Sequence, residues 1–126
     1  MRVLVIGMGG IGQRHVRNLR ALLGPDVEID AYRVRRQSPV LTERFEVEHG
    51  ANLEMTYGLR AFDTIEEALA QCPSVVFVCN PSSLHLRVAM AAADAGCHLF
   101  IEKPLSASWE GVDALVDLVE QRNLVA

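Results

Sequence analysis

Hydrophobic positions along the chain alternate between two spacings. Short apolar runs rich in β-branched residues predict five strands, at residues 2–6, 27–32, 60–62, 75–79 and 98–102. Apolar residues three and four positions apart predict five helices, at residues 11–23, 39–49, 64–70, 84–95 and 109–122. Strands that alternate with helices are typical of a parallel sheet covered on both faces. The pattern therefore predicts a doubly wound α/β fold with strand order 3-2-1-4-5.

Two short segments fall outside this alternation. Residues 52–59 fit neither spacing, and the apolar triplet at residues 124–126 looks like the first part of a truncated sixth strand. The edge beyond residues 98–102 is therefore expected to be exposed or paired with this triplet. Because an unpaired edge invites association between chains, a homo-oligomer is also expected.

The loop between the first predicted strand and helix carries the strongest chemical signal. It reads Gly7-Met8-Gly9-Gly10-Ile11-Gly12 and has the spacing Gly-x-Gly-x-x-Gly between a strand and a helix. In such a loop Gly7 permits the tight turn, and Gly9 lets a pyrophosphate approach the backbone without a Cβ in the way. Gly10 directly precedes the helix and Ile11 begins it, and the helix N-terminus offers unpaired N–H groups to phosphates.

Gly12 has a predicted packing role, because it shares one helix face with three apolar residues, Val16, Leu19 and Leu23. A glycine-rich turn without a ligand is the alternative, but the strand, helix and apolar face together favour dinucleotide binding in a Rossmann fold. The arginines on the opposite face, Arg14, Arg17 and Arg20, are interpreted as a solvated surface.

The choice of cofactor depends on where the second strand ends. If it ends at Ile29, Asp30 is placed to bind the ribose 2'-hydroxyl of NAD; if it continues to Tyr32, Arg33 takes that position. We favour the second register, in which Arg33, Arg35 and Arg36 form a cationic cluster that can hold the 2'-phosphate of NADP. NADP is thus the predicted cofactor, NAD is the alternative, and a solvated basic loop without a ligand is the competing interpretation of the cluster.

Polar segments follow the fourth and fifth predicted strands. The first contains Asn80, Pro81 and His85, and the second is Glu102-Lys103-Pro104. Ligands collect at the carboxyl ends of parallel strands. Pro104 restricts Lys103 to extended geometry, and a fixed ammonium can polarise a carbonyl oxygen and stabilise a developing alkoxide. An ion pair between Lys103 and Glu102 is the structural alternative.

Three segments together resemble a known family: VLVIGMGGIGQRHVRNL, VVFVCNPSSLHLRVAMAAADAG and HLFIEKPLSAS. They are similar to the N-terminal domain of Gfo/Idh/MocA oxidoreductases, which use NAD or NADP to oxidise or reduce sugars, inositols and related polyols. The resemblance covers essentially the whole chain, and the Glu-Lys-Pro block is its most specific part.

This resemblance implies roles for individual residues. It places Lys103 beside the nicotinamide and the reacting carbinol as the catalytic residue, with Glu102 in the same cofactor-binding block. It also implies that Asn80, Pro81 and His85 line the cofactor, while an orienting role for His85 within its loop is an equal alternative. Two positions depart from the family pattern: Ser82 stands where many members have asparagine, and Arg33 where many have an acidic residue.

The resemblance also implies a second domain. Family members carry a C-terminal α/β domain that binds substrate and supplies a histidine acid/base. Residues 1–126 are therefore expected to be the dinucleotide-binding domain alone, with the substrate domain absent from this chain and the chain inactive by itself. A non-catalytic dinucleotide sensor is the alternative. An S-adenosylmethionine methyltransferase is disfavoured, since it has no use for Glu-Lys-Pro.

Composition limits the other function classes. With 12 Lys+Arg against 16 Asp+Glu and a net charge of -4, the chain lacks the basic field that drives binding to nucleic acid or a membrane surface. The first apolar run is too short for a signal or membrane-spanning segment. Cys72, Cys79 and Cys97 form no CxxC pair, which argues against a disulfide framework or a metal site. A cytoplasmic location is expected.

Overall fold

Five parallel strands form the central sheet in the computed structural model, which describes residues 1–33 and 38–126. In chain order the sheet strands are β1 (Arg2–Ile6), β2 (Glu28–Tyr32), β5 (Arg60–Phe62), β6 (Val75–Val78) and β7 (His98–Ile101). The two strands between β2 and β5, which are β3 (Val40–Leu41) and β4 (Val47–Glu48), lie outside this sheet. Across the sheet their order is β5-β2-β1-β6-β7, and every neighbouring pair is parallel. Counted along the chain, this is the predicted order 3-2-1-4-5, so the doubly wound α/β fold is confirmed.

The helices of the described residues cover both faces of the sheet. They are α1 (Gly10–Leu23), α2 (Leu53–Tyr57), α3 (Ile65–Leu69), α4 (His85–Asp94) and α5 (Val112–Gln121), with a 3-10 turn at Ser82–Leu84 before α4. Successive side chains of β1 point to opposite faces. Val3 and Val5 pack with Val16 of α1, while Leu4 and Ile6 pack in a separate cluster with α4. No helix of the described chain has the length and apolar character needed to cross a bilayer.

The apolar face predicted for α1 is confirmed over most of its length. Gly12, Val16 and Leu19 are buried, whereas Leu23 is 47% exposed. A 14-residue helix is about 21 Å long, and a five-residue strand spans about 17 Å. The last turn of α1 therefore extends past the sheet, which explains why the prediction is wrong for Leu23.

The helix predicted at residues 39–49 is wrong. This segment forms an antiparallel pair of two-residue strands, β3 (Val40–Leu41) and β4 (Val47–Glu48). Side chains of α1 hold β3: the Leu41 N–H donates to Gln13 Oε1 at 2.8 Å, and the Gln13 amide donates to the carbonyl of Pro39 at 2.8 Å. Contacts with another element thus override the helical spacing of its few apolar residues.

Residues 52–59, which fit no spacing, contain the short helix α2. Asn52 caps it by accepting a hydrogen bond from the N–H of Met55 at 3.1 Å, and Gly58 ends it in the left-handed conformation at φ 58°. The segment is thus one turn of helix between two strong end signals, and it is too short to show a period.

Two of the three arginines interpreted as a solvated surface are structural. Arg17 donates to the carbonyl of Leu41 and to the Tyr57 hydroxyl, and Arg20 donates to the carbonyls of Val27 and Gly58. The interpretation is wrong for both, because β3 and α2 pack against this side of α1. It is correct for Arg14, which is exposed.

The end of the chain lies along β7. The N–H of Leu99 donates to the carbonyl of Val125 at 2.8 Å, and the N–H of Val125 donates to Nδ1 of His98 at 3.1 Å. Residues 124–126 thus lie against the edge strand, but they form no strand and do not add a sixth member to the five-stranded sheet.

Candidate dinucleotide-binding site

The glycine loop crosses the point at which the strand order reverses. Gly7 directly follows β1, and its N–H donates to the carbonyl of Tyr32 at the end of β2. Gly7 has φ 95°, a conformation that favours glycine. A Cβ there would lie 2.6 Å from the backbone nitrogen of Asn80, which follows β6. Gly7 is therefore wedged between the neighbouring chain segments at the switch point, where open α/β sheets bind ligands.

Gly12 allows α1 to close onto the turn. A Cβ at Gly12 would overlap the carbonyl oxygen of Gly7 and would lie 3.6 Å from a methyl group of Val5. Gly12 thus has the predicted packing role. Its closest contact is with the backbone of the turn, and its contact with the side chain of Val5 in the sheet is looser.

Gly9 faces open space. Apart from its neighbours along the chain, no described residue has an atom within 4 Å of a Cβ built on Gly9, and none of the described side chains caps the N-terminus of α1 at this residue. The first N–H groups of a helix have no partner within the helix. Ile11, in this first turn, is 41% exposed. An open approach to uncapped N–H groups is the environment that a pyrophosphate requires.

The hairpin formed by β3 and β4 covers the other side of the loop at Gly10. A Cβ at Gly10 would lie 2.9 Å from the ring of Phe45. Phe45 has φ 63° and is half exposed. Gly10 therefore contributes to the packing of the hairpin on α1, in addition to its backbone N–H.

The end of β2 matches the second of the two registers considered above. Tyr32 is the last residue of the strand and is paired with Ile6 of β1, so Arg33 is the first residue beyond it. Asp30 is buried inside the sheet and accepts hydrogen bonds from Arg60 at 2.9 and 3.1 Å. Asp30 is thus committed to a structural ion pair.

Arg33 lies beside α2. Its guanidinium pairs with Oε1 of Glu54, while Oε2 of Glu54 is buried and has no hydrogen-bond partner among the described residues. The other two members of the predicted cationic cluster, Arg35 and Arg36, lie outside the described residues.

The loop after β6 is held by His85, the first residue of α4. Its side chain is 2% exposed, with Nε2 2.6 Å from the carbonyl oxygen of Asn80 and Nδ1 2.9 Å from that of Pro104. Pro81 is exposed and precedes the 3-10 turn. The Oδ1 atom of Asn80 is buried and lacks a partner among the described residues. His85 therefore ties the ends of two strands together, as its orienting alternative requires.

The Glu-Lys-Pro block follows β7 and contacts α1. Oε1 of Glu102 lies 2.6 Å from Nε2 of His15, and Oε2 accepts from the backbone N–H of Lys103 at 3.3 Å. The hydrogen bond with His15 is the main reason that the pKa of Glu102 lies below its ordinary value. Lys103 itself is exposed, precedes a cis peptide bond to Pro104, and has no ion pair with any described carboxylate. The alternative in which an ion pair with Glu102 holds the Lys103 side chain is therefore not seen among the described residues.

His15 is the residue that sequence reasoning missed at this site. Its ring lies 5.0 Å from that of Phe100 and 5.4 Å from that of Phe77, measured between centroids. The sequence places His15 three residues after Gly12, close to the glycine loop. It does not indicate the contact with Glu102, because the two residues are 87 positions apart along the chain.

Cys79, at the end of β6, has no thiolate role at neutral pH. Burial is the main cause that raises the pKa of its thiol to about 12, and the charge of Glu102 adds to this effect.

The comparisons with known proteins establish the family. Residues 1–126 match the Gfo/Idh/MocA family described as an oxidoreductase family with an NAD-binding Rossmann fold. The chain belongs to this family, and the resemblance seen in the sequence is confirmed.

Individual relatives agree with this assignment. The chain is 32% identical to UDP-N-acetylglucosamine 3-dehydrogenase of Acidithiobacillus ferrooxidans, over 99% of the chain and 35% of that protein. It is 30% identical to myo-inositol 2-dehydrogenase of Thermotoga maritima, over 99% of the chain and 34% of that protein. GenD2 from gentamicin A biosynthesis, solved in complex with NAD, is similar with a TM-score of 0.78 and 28% identity, over 99% of this chain and 33% of that one. The chain thus spans about a third of the length of these relatives.

Proposed function

We propose that this chain is the cofactor-binding domain of an NAD(P)-dependent dehydrogenase that acts on a sugar, polyol or related carbinol by hydride transfer. The observation that carries the proposal is the glycine loop at the switch point, where Gly9 leaves an open approach to the uncapped N-terminus of α1. The named dehydrogenases among its relatives support the reaction class.

In this proposal the residues of the loop bind the pyrophosphate. Gly7 and Gly12 shape the turn, Gly9 leaves the approach open, and Gly10 and Ile11 offer backbone N–H groups. The bound nicotinamide supplies the hydride-transfer chemistry. The carboxyl ends of β6 and β7 then provide the remaining contacts.

The segments that follow these two strands contain the other proposed contact residues, Asn80, Pro81, His85 and Glu102. Lys103 acts at the carbinol. The buried Oδ1 of Asn80 has no partner among the described residues, so it is suited to accept a hydrogen bond from a ligand amide. The Lys103 ammonium is exposed and unpaired among the described carboxylates, so it is free to stabilise negative charge on the substrate oxygen.

A second domain completes the enzyme in this proposal. Orienting a carbinol against a nicotinamide requires walls on the substrate side, and the Lys103 side chain is exposed. We assign substrate binding and the acid/base to residues outside this chain, and we expect the chain alone to show no turnover of a sugar or polyol.

We further propose a preference for NADP over NAD. Arg33 follows the last residue of β2, and an arginine at this place can bind the 2'-phosphate of NADP. Asp30, by contrast, is buried and forms an ion pair with Arg60. A guanidinium has five N–H donors, and Glu54 accepts through only one of its oxygens. Arg33 therefore keeps donors for a phosphate while Glu54 holds it in place.

The preference can be tested by measuring the dissociation constants of NADPH and NADH by calorimetry. Arg33→Asp, made together with Arg35→Ala and Arg36→Ala, is expected to weaken NADPH binding by about 10- to 100-fold, since charged hydrogen bonds contribute about 1.5–3 kcal/mol. NADH binding should be kept or improved. Glu54→Gln is the matched control, because it removes the competing charge and should leave the preference for NADPH in place. An equal loss of both affinities in the Arg33 variant would show that the cluster is not a 2'-phosphate site.

A further inference from the structure

Two histidines contact the Glu-Lys-Pro block from two different helices. From α1, Nε2 of His15 lies 2.6 Å from the Glu102 carboxylate. From the start of α4, Nδ1 of His85 lies 2.9 Å from the carbonyl of Pro104. The residues immediately before and after Lys103 are thus both held by a histidine.

Neither histidine is free to bind a ligand through these atoms. The His15 ring packs beside Phe77 and Phe100, and its side chain is 17% exposed. The His85 ring is buried between two carbonyl oxygens, those of Asn80 and Pro104. Both rings have fixed positions, and their polar atoms are directed at the protein.

Lys103 itself has no anchor of this kind. Its side chain is exposed, and it forms no ion pair with a described carboxylate. The direction in which its ammonium projects therefore depends on the backbone of the block, and that backbone depends on its neighbours on either side. The His15 contact also links the block to α1, whose N-terminus is the proposed pyrophosphate site.

We propose that His15 and His85 are positioning residues, which together hold Lys103 at a fixed place beside the cofactor site. This inference rests on the proposed function, in which Lys103 acts at the nicotinamide end. In this arrangement His15 fixes the block relative to the phosphate-binding helix, and His85 fixes it relative to the loop at Asn80.

The test uses the fact that Lys103 is the only lysine in the sequence. Isotope labelling of lysine therefore gives one backbone amide and one ε-methylene signal in the NMR spectrum of the whole chain. Two variants of His15 form a matched pair. His15→Leu removes the hydrogen bond to Glu102 and keeps an apolar side chain beside the phenyl rings, while His15→Gln keeps an N–H donor within reach of Glu102.

In the wild-type chain the Lys103 amide should show the relaxation of ordered backbone, with an order parameter near ~0.85, and in His15→Leu this value should fall toward ~0.6. His15→Gln should restore most of the order. The titration midpoint of the Glu102 carboxyl should rise in His15→Leu, because the hydrogen bond that lowers its pKa is lost. Unchanged Lys103 relaxation in a folded His15→Leu chain would overturn the assignment of His15.

His85 is tested without a substitution, since a change at this buried site could prevent folding. Its Nδ1–H proton should exchange slowly with solvent, as expected for a hydrogen bond to the backbone carbonyl of Pro104. A His85 ring without a protected Nδ1–H would contradict its role as a tether.

Addition of NADPH separates this inference from the proposed function. If Lys103 acts at the nicotinamide, its ε-methylene signal should shift in the wild-type chain, and most of that shift should be lost in His15→Leu. No shift in a wild-type chain that binds NADPH would contradict the proposed role of Lys103, while the relaxation measurement would still decide whether His15 positions it.

Discussion

Gly12→Ala should destabilise the chain by about 3 kcal/mol or more, the upper end of the cost of overpacking. The added methyl group would overlap the carbonyl oxygen of Gly7, and this atom belongs to the backbone of a turn that is itself confined by Asn80 and Tyr32. Neither side of the contact can move without displacing a strand end or α1. A change of this size is a large part of the stability of a small domain.

Chemical denaturation followed by circular dichroism measures the effect as a change in the unfolding midpoint. Gly9→Ser is the matched control from the same loop, because its side chain would enter open space and serine is favoured at a helix N-cap. Its stability should stay within about 0.5 kcal/mol of the wild type. Equal midpoints for Gly12→Ala and the wild type would show that the loop is not packed as described.

Gly9→Val should abolish measurable dinucleotide binding while the chain stays folded. The valine side chain would fill the approach to the N–H groups at the start of α1. Losing two charge-assisted hydrogen bonds, each contributing about 1.5–3 kcal/mol, corresponds to at least about a 100-fold loss of affinity. The fold should survive, since valine is unfavourable at a helix N-cap by only about 1 kcal/mol.

Calorimetric titration with NADPH measures this loss. Leu22→Val is the control on the same helix, because Leu22 lies in the last turn of α1 and is 82% exposed. It should bind NADPH as the wild type does. Wild-type affinity in a folded Gly9→Val chain would rule out the approach at Gly9 as the binding route.

The main sheet could be predicted from the sequence because its strands are buried runs with a clear period. After Arg2, β1 and β6 consist only of Val, Leu, Ile and Phe, which is typical of parallel strands covered on both faces, and in β2 the apolar residues Ile29 and Ala31 alternate with polar ones. The glycine spacing then located the reversal of strand order, because such a loop follows the first strand of this fold. Local pattern and global fold agree throughout this part of the chain.

The segment from 39 to 49 could not be predicted in the same way. Val40, Leu41, Phe45 and Val47 are too few to separate a helix from a hairpin by spacing. Hydrogen bonds with the side chains of Gln13 and Arg17 of α1 hold β3 in place. These partners are 24 to 28 residues apart along the chain, so the residues of the segment itself do not indicate the contacts.

The candidate site shows the same division. The glycine loop and the Glu-Lys-Pro block are local motifs, so both were found from residue order alone. The hydrogen bond between His15 and Glu102 links the two motifs. It joins a residue of α1 to a residue that follows β7, and only the fold brings these two residues together. The partner of Arg33 was missed for the same reason, since Glu54 lies on the short helix α2 for which the sequence shows no period.

The central claim is that this chain binds a nicotinamide dinucleotide across the end of β1, with the pyrophosphate on the glycine loop. Titration of the isotope-labelled chain with NADPH, followed by two-dimensional NMR, tests it most directly. The claim predicts that the largest shifts occur at the backbone amides of residues 7–12 and at Lys103. A folded chain whose spectrum does not change at millimolar NADPH would contradict it, as would shifts confined to the groove between α4 and α5 at Met90, Asp94 and Leu118.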